Sequence, residues 1–551
     1  MNNIDQKSTG SYYTSNAIAD YIVDWVIENP KMSVLEPSFG DGVFIDSAIA
    51  KFAELKNLCP KLTGIEKQKE PYNNYMRSHK INGILSDFME FRTEEKFDAV
   101  IGNPPYVSLR NLNERERKNA LNLVKSYGIN MATSASLWMP FMIHSTELLS
   151  ENGKLGFVLP YEITYVRYAF SLWEYLSENY GKITLCRIFH DFFPNVDVET
   201  VLLLAEEKGG KTDSVSYKIF ETIEDLHAGN ASKNLLLPVK SITSMEKPFE
   251  TALLETNTEN LLNTLRNEHK IEKAVETCKF KIGYVSGSKT FFNISKEDLQ
   301  KLKIRTENTK KSLLNAKQIT SNAKAGIETD GIQDFSYLFY PQNIGLNEDS
   351  YIKYGEKIKI NEGYKCKLRK PWYIVPQVEK PDLVLTVFGD VPKILLNNGG
   401  FYISNSLLGG TISSASGEEF LCRWYNSLTL LSIETMVHSL GGGSLVLIPG
   451  ETDNIEIITG FPKNQVEQTY QKFSVFAKEN KTEDIYKYGD EIVLKKIYGF
   501  TDSQINFIRN SISELRKWRI PENRRENKLE LIKNIPAIVG RNESVKERLD
   551  A

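Results

Sequence analysis

The sequence predicts an α/β fold: a doubly wound, mostly parallel sheet in the front half, followed by a second, α+β domain. Three observations predict it. Short apolar runs alternate with longer amphipathic segments as far as Leu204, the pattern of strand–helix–strand units around a parallel sheet. Turns rich in glycine and acidic residues follow those runs, where open parallel sheets bind their ligands. And 551 residues are too many for a single core.

The strands are read at Val34-Leu35, Leu62–Ile65, Ile81–Leu85, Phe97–Ile101, Leu155–Leu159, Thr184–Phe189 and Thr200–Leu204, with helices over Ala17–Ile27 and Phe44–Leu55. From residue 206 the pattern weakens. Lys208-Gly209-Gly210-Lys211 reads as a turn, and the stretch to residue 250 as a connection. The predicted domains are 1–240 and 241–551, and a helical pattern returns over Ser503–Arg519 ahead of a basic tail.

Composition narrows the class. Hydrophobic residues make up 41% and charged residues 25%, as in ordinary soluble domains. The chain has no long apolar run, and Met1–Gly10 is polar, so a membrane span or secretory signal is not expected. The five cysteines form no CxxC pair, which predicts a reducing cytoplasm and neither a disulfide framework nor a cysteine metal site. Residues 1–240 carry 25 Lys and Arg against 31 Asp and Glu, whereas residues 241–551 carry 43 against 40. That asymmetry suits a small-molecule site in front and a polyanion site behind, although surface variation alone could produce it.

Four segments stand at predicted strand ends. Leu35-Glu36-Pro37-Ser38-Phe39-Gly40-Asp41-Gly42 puts small residues where a backbone could pass close to a ligand, ahead of a helix N-terminus. Glu66 closes the second strand, and a carboxylate so placed can accept both hydroxyls of a ribose. Ser86-Asp87-Phe88 follows the third. Asp87 could accept from an adenine amino group while Phe88 packs on the ring, or it could simply cap a helix. The fourth, Asn103-Pro104-Pro105-Tyr106, is specific. Its two prolines stiffen the loop and donate no hydrogen bond. The Asn103 side-chain oxygen and the Pro104 carbonyl can together accept both hydrogens of an amino group, and Tyr106 can stack on the base that carries it.

On these residues the chain resembles the gamma-class, N-terminal-catalytic adenine-N6 DNA methyltransferases of type II restriction–modification systems. Asn103-Pro104-Pro105-Tyr106 is similar to their catalytic motif, and the order of segments is theirs. The resemblance covers residues 8–205 and implies a Rossmann-like S-adenosylmethionine-dependent methyltransferase fold. It implies that Tyr13 and Thr14, in Tyr12-Tyr13-Thr14, contact the methionine part of the cofactor, S-adenosyl-L-methionine, with Glu36, Pro37, Ser38, Gly40, Glu66, Asp87, Phe88 and Asn103 completing that site. It also implies a flipped target adenine, with Phe193 on the face opposite Tyr106. No metal is expected.

The back half offers three segments similar to the family's C-terminal region: Gly283–Phe292, Leu368–Tyr373 and Leu440–Leu445. Ser288, Lys289, Arg369, Lys370 and Gly442 are the candidate DNA contacts there, since Gly and Ser loops allow close approach to phosphates and the basic residues can pair with them. The basic tail around Arg516–Arg525 reads either as a further contact or as a solvated helix face. The expected protein is a monomer acting on double-stranded DNA, with any cognate endonuclease on a separate chain. Rival readings are methylation of RNA or of a protein glutamine, and a catalytically silent DNA-binding subunit.

Overall fold

The computed structural model describes residues 14–189, 199–245, 247–320, 326–389, 391–440, 444–479 and 481–520. The chain divides into two compact units, Met1–Ala252 and Leu253–Ala551.

The described residues of the first unit form nine strands: β1 (Ser33–Glu36), β2 (Lys61–Glu66), β3 (Asn82–Leu85), β4 (Phe97–Gly102), β5 (Leu149–Pro160), β6 (Tyr180–Ile188), β7 (Thr200–Lys208), β8 (Ser214–Phe220) and β9 (Lys233–Pro238). They line up in the order β3-β2-β1-β4-β5-β7-β6-β8-β9. From β3 to β5 neighbours run parallel, and β7 runs antiparallel between β5 and β6. The parallel register pairs Glu36 with Gly64 and Glu66 with Leu85. The carboxyl ends of β1 to β4 therefore share one edge, the edge at which the four sequence segments begin.

Helices α1 (Asn16–Val26) and α2 (Val43–Glu54) contribute to one core with this sheet. Ile18, Ile22 and Val26 recur at four-residue spacing on α1, and Phe44, Ala48 and Phe52 do so on α2. That spacing makes each an apolar stripe to be buried. Helix α3 (Lys69–Met76) follows β2, and α4 (Glu114–Ser126) follows the β4 loop. Helix α5 (Trp138–Leu148) is buried at every position except Glu147, so it runs through the core and not along its surface.

The stretch read as a connection instead adds β8 and β9 to the sheet. Val215, Tyr217 and Ile219 are buried and alternate with Ser216 and Lys218, a clear two-residue period behind the Lys208–Lys211 turn. These strands and the short helix Pro248–Thr251 belong to the first unit, which is why it ends beyond residue 240.

Among its described residues the second unit has two four-stranded sheets besides smaller ones. One comprises Cys278–Ile282, Leu407–Ile412, Leu383–Thr386 and Ile394–Leu396; the other comprises Asn293–Ile294, Ser336–Phe339, Thr309–Leu313 and Tyr402–Ile403. The C-terminal helix Asp502–Arg519 packs on the helix Ser427–Met436. Its basic end is not solvated. Arg516 Nε donates to Glu434 Oε1 at 2.5 Å, and Arg519 grips the same carboxylate with Nε at 2.9 Å and Nη2 at 2.9 Å. All three side chains are buried. Arg516 and Arg519 are thus structural rather than DNA-facing; Arg524 and Arg525 lie outside the described residues. Among the described residues no helix is long and apolar enough to cross a membrane.

Burial pushes the Glu434 carboxyl up, but Arg519 and Arg516 outweigh it and hold it below the usual carboxylate range. Its stabilising contribution is therefore present above that range and disappears as pH falls through the depressed value. Glu434→Ala strands two buried cations and should cost about 3–5 kcal/mol in urea unfolding. Replacing all three side chains by apolar residues of similar volume should cost far less.

Candidate active site

The site begins at the end of β1. Gly40 and Gly42 adopt φ of +54° and +87°, a region that L side chains rarely adopt. A Cβ on Gly42 would also lie 2.0 Å from Tyr75 Cε2, so that turn is closed to any larger residue. Glu66, at the end of β2, accepts the Gly40 N–H at 2.9 Å and the Gln68 N–H at 2.6 Å. The residue assigned to a ribose thus also holds the glycine turn in shape.

The end of β4 meets this turn. Gly102 has φ +152°, and its Cβ position lies 3.6 Å from Glu36 Cγ and 3.6 Å from Pro37 Cδ. Ser38 Oγ donates to the Asn103 carbonyl at 3.4 Å, and Asn103 Nδ2 donates to Thr14 Oγ1 at 3.2 Å. Pro104 is buried, while Asn103, Pro105 and Tyr106 are half-buried. Beyond them, Leu137 N–H donates to the Val107 carbonyl at 2.8 Å and Leu109 N–H to the Ala135 carbonyl at 2.9 Å. The Asn103–Tyr106 loop is therefore anchored at both ends.

The site is strongly acidic. Burial, then Asp41, Glu66 and Asp46, hold the Glu36 carboxyl well above the usual range. Glu36 is 2% exposed, and its Oε2 has no hydrogen-bond partner among the described residues. Glu66 and Asp41 are also pushed up, in both cases first by burial. Buried carboxylates left this way are costly without a partner. A cationic ligand supplies one, and S-adenosylmethionine, with its sulfonium and ammonium charges, fits that requirement.

Of the two roles the sequence left open for Asp87, the structure shows the cap. Its Oδ1 caps the turn Phe88–Glu90 by accepting the Met89 N–H at 2.9 Å. Its Oδ2 pairs with Lys67 at 2.9 Å, and Lys67 in turn donates to Glu116 on α4 at 2.6 Å. Phe88 differs from expectation. Its ring is buried among Phe91, Phe141 and His144, so it belongs to the core beneath the site rather than to an open ring-stacking face. Tyr13 and Phe193 lie outside the described residues.

Sequence reading missed Lys67 and His144. His144 is buried on α5, bonded to the Tyr127 hydroxyl at 2.9 Å and the Phe91 carbonyl at 3.1 Å. It clamps the segment that carries Asp87. Nothing local in sequence marks it, because its partners lie 17 and 53 residues away.

In the second unit, Arg369 is turned inward. Nη1 donates to the Ser286 carbonyl at 2.8 Å and Nη2 to the Val285 carbonyl at 2.7 Å. It builds the Gly283–Ser288 loop instead of offering its fork to DNA. Ser288 is half-buried, Lys289 and Lys370 are exposed, and Gly442 lies outside the described residues.

This sheet order, with an acidic glycine turn against an Asn-Pro-Pro-Tyr loop, defines the class of S-adenosylmethionine-dependent methyltransferases. The family model of the Eco57I restriction-modification methylase matches residues 42–192, and that of the type II methyltransferase M.Eco57I, C-terminal domain, matches residues 246–494. Between them these matches take in most of the chain, and the chain belongs to this type II methyltransferase family. It is similar to the type II methyltransferases M.BstVI of Geobacillus stearothermophilus (27% identical, 51% of this chain and 59% of that one) and M.AccI of Acinetobacter calcoaceticus (25%, 40% and 41%). The chain thus spans about half the length of these curated relatives. The solved type IIL restriction-modification enzyme MmeI, in complex with DNA, has the same fold at 11% identity, with a TM-score of 0.57 over 94% of this chain and 80% of that one.

His144 yields a prediction. Burial pushes its imidazole down to about 4, so between there and its unfolded value near 6.5 the unfolded chain binds the extra proton. Stability should fall as pH drops through that window, by up to ~3 kcal/mol. His144→Phe should flatten that slope in urea unfolding measured across pH.

Proposed function

We propose that this protein is a site-specific DNA methyltransferase that transfers a methyl group from S-adenosylmethionine to the N6 amino group of a flipped-out adenine, within a restriction–modification system. The observation that carries this reading is the junction of the two loops: Ser38 reaches the Asn103 carbonyl, and Gly102 packs on Glu36 and Pro37. An amine held at Asn103 is then next to whatever the glycine turn holds.

The chemistry follows from the groups present. The cofactor supplies an electrophilic methyl on a sulfonium. Adenine's amino lone pair is delocalised into its ring, so the amine is a poor nucleophile until its nitrogen becomes pyramidal. Thr14 takes the donor end of the Asn103 amide, so the Asn103 oxygen is the end that accepts one amine hydrogen, and the Pro104 carbonyl accepts the other. The nitrogen then gains the methyl and loses a proton. Such a site works by positioning and by stabilising the positive charge that develops on nitrogen. Within a duplex the amine cannot reach the turn, so the base must leave the stack. Tyr106 would then replace part of the lost stacking, worth roughly 1–3 kcal/mol per base.

The second unit is read as the part that recognises the target, in keeping with the MmeI fold shared by most of the chain. The protein works as a monomer on duplex DNA.

Long-read sequencing of DNA from a methylation-free host expressing the protein tests this. Modified adenines should appear in a single motif, and their absence would refute the reading. Asn103→Ala should abolish most transfer but leave S-adenosylmethionine affinity nearly intact by calorimetry, because the contact matters mainly at the transition state. Glu66→Ala should instead weaken that affinity roughly tenfold or more, by removing charge-assisted hydrogen bonds. Tyr106→Phe should be milder than Tyr106→Ala.

A further inference from the structure

The turn that follows the helix Leu346–Lys357 sorts its residues by direction. Cys366 is fully buried and Arg369 points inward to the Val285 and Ser286 carbonyls. Tyr364, Lys365, Lys367, Leu368 and Lys370 are all exposed. Tyr364 and Leu368 stand 68% and 67% exposed, an expense of apolar surface that core packing does not explain. Lys365 Nζ and Lys367 Nζ lie 5.5 Å and 5.9 Å from the Tyr364 ring centre.

The lysines here differ from their neighbours. Lys353, Lys359 and Lys281 are paired with Asp349, Glu362 and Glu379. Among the described residues, Lys365, Lys367, Lys370 and the nearby Lys289 have no carboxylate within ion-pair distance. No described carboxylate therefore neutralises their charge. The turn is also held firmly. A Cβ on Gly287 would lie 3.1 Å from both Cys366 Sγ and Lys365 Cβ, so the two loops are pressed together, and Arg369 pins one to the other.

We propose that this turn, Tyr364 to Lys370, is a contact surface for the phosphate backbone of duplex DNA, with Lys365, Lys367 and Lys370 meeting phosphates and Tyr364 lying against the sugar edge. This rests on the reading of the second unit as the target-recognising part. Arg369 is the positioning residue of the surface and makes no contact with DNA. Backbone contacts of this kind set register and affinity but carry no sequence information, so the surface serves every duplex alike.

The test uses the full chain with Lys365, Lys367 and Lys370 all changed to Gln. Binding to a labelled mixed-sequence duplex is followed by fluorescence anisotropy across a salt series. Each phosphate contact contributes about 0.9 to the slope of log affinity against log salt. The triple variant should therefore lose about 2–3 from that slope and at least ~tenfold in affinity at low salt. Its thermal unfolding and its affinity for S-adenosylmethionine should stay at wild-type values. Lys353→Gln, which removes an ion-paired lysine, should leave the slope unchanged. The same three positions changed to Arg should keep the wild-type slope. An unchanged slope in the Gln variant overturns the proposal, and so does loss of the slope in the Arg variant. Loss of affinity for an RNA hairpin but not for duplex DNA would also overturn it. If the wild-type protein binds no duplex at all, the reading of the second unit fails instead.

Discussion

The site depends on one adjacency, the end of β1 beside the end of β4. Val34 pairs with Ala99 and Leu35 with Val100 in a parallel ladder, so the chain leaves both strands on the same edge of the sheet. Gly102 then takes a φ of +152° and turns the Asn103 loop across Glu36 and Pro37. A side chain at position 102 would strain that backbone. The reaction as proposed needs an amine and a methyl donor in contact, and the geometry that allows contact is fixed by backbone pairing before any catalytic side chain acts. Thr14 joins the same point from the start of the described chain.

The second constraint is electrostatic. Glu36, Asp41 and Glu66 crowd the strand ends, and burial raises each of them. Such a cluster is unfavourable by itself and is relieved by positive charge. Glu66 shows how the strain is partly contained, because backbone N–H groups of Gly40 and Gln68 feed its two oxygens. Lys67 shows another route, bridging Asp87 to Glu116 on the helix that follows the Asn103 loop. On the proposed reading, ligand affinity and loop shape are coupled through the same carboxylates.

What the sequence made legible is the local part. Seven strands of the first unit, the glycine turn and the Asn103 loop each carry their own signature: apolar runs, small residues needing positive φ, or prolines that stiffen a loop. What it hid is set by partners far along the chain. Arg369 looked like a DNA contact because an Arg-Lys pair beside a glycine loop is basic; only the fold reveals the Val285 and Ser286 carbonyls as its partners. Arg516 and Arg519 looked like a basic tail until Glu434, more than 80 residues earlier, took them. Phe88 reads as a ring-stacking residue beside Asp87, yet Phe141 and His144 enclose it from a helix that sequence pattern alone could not place. β8 and β9 were obscured by the glycine turn before them, although the alternation in Ser214–Phe220 was there to be read.

As proposed, the Asn103 loop delivers a methyl group to the N6 amine of adenine in DNA. The most direct measurement incubates the purified protein with duplex DNA and S-adenosylmethionine carrying an isotopically labelled methyl group, then digests the DNA to nucleosides for mass spectrometry. The account predicts label on N6-methyldeoxyadenosine and on no other nucleoside, and none when Asn103 is replaced by Ala. Label on cytosine alone, or label from the Asn103→Ala protein equal to wild type, would contradict it.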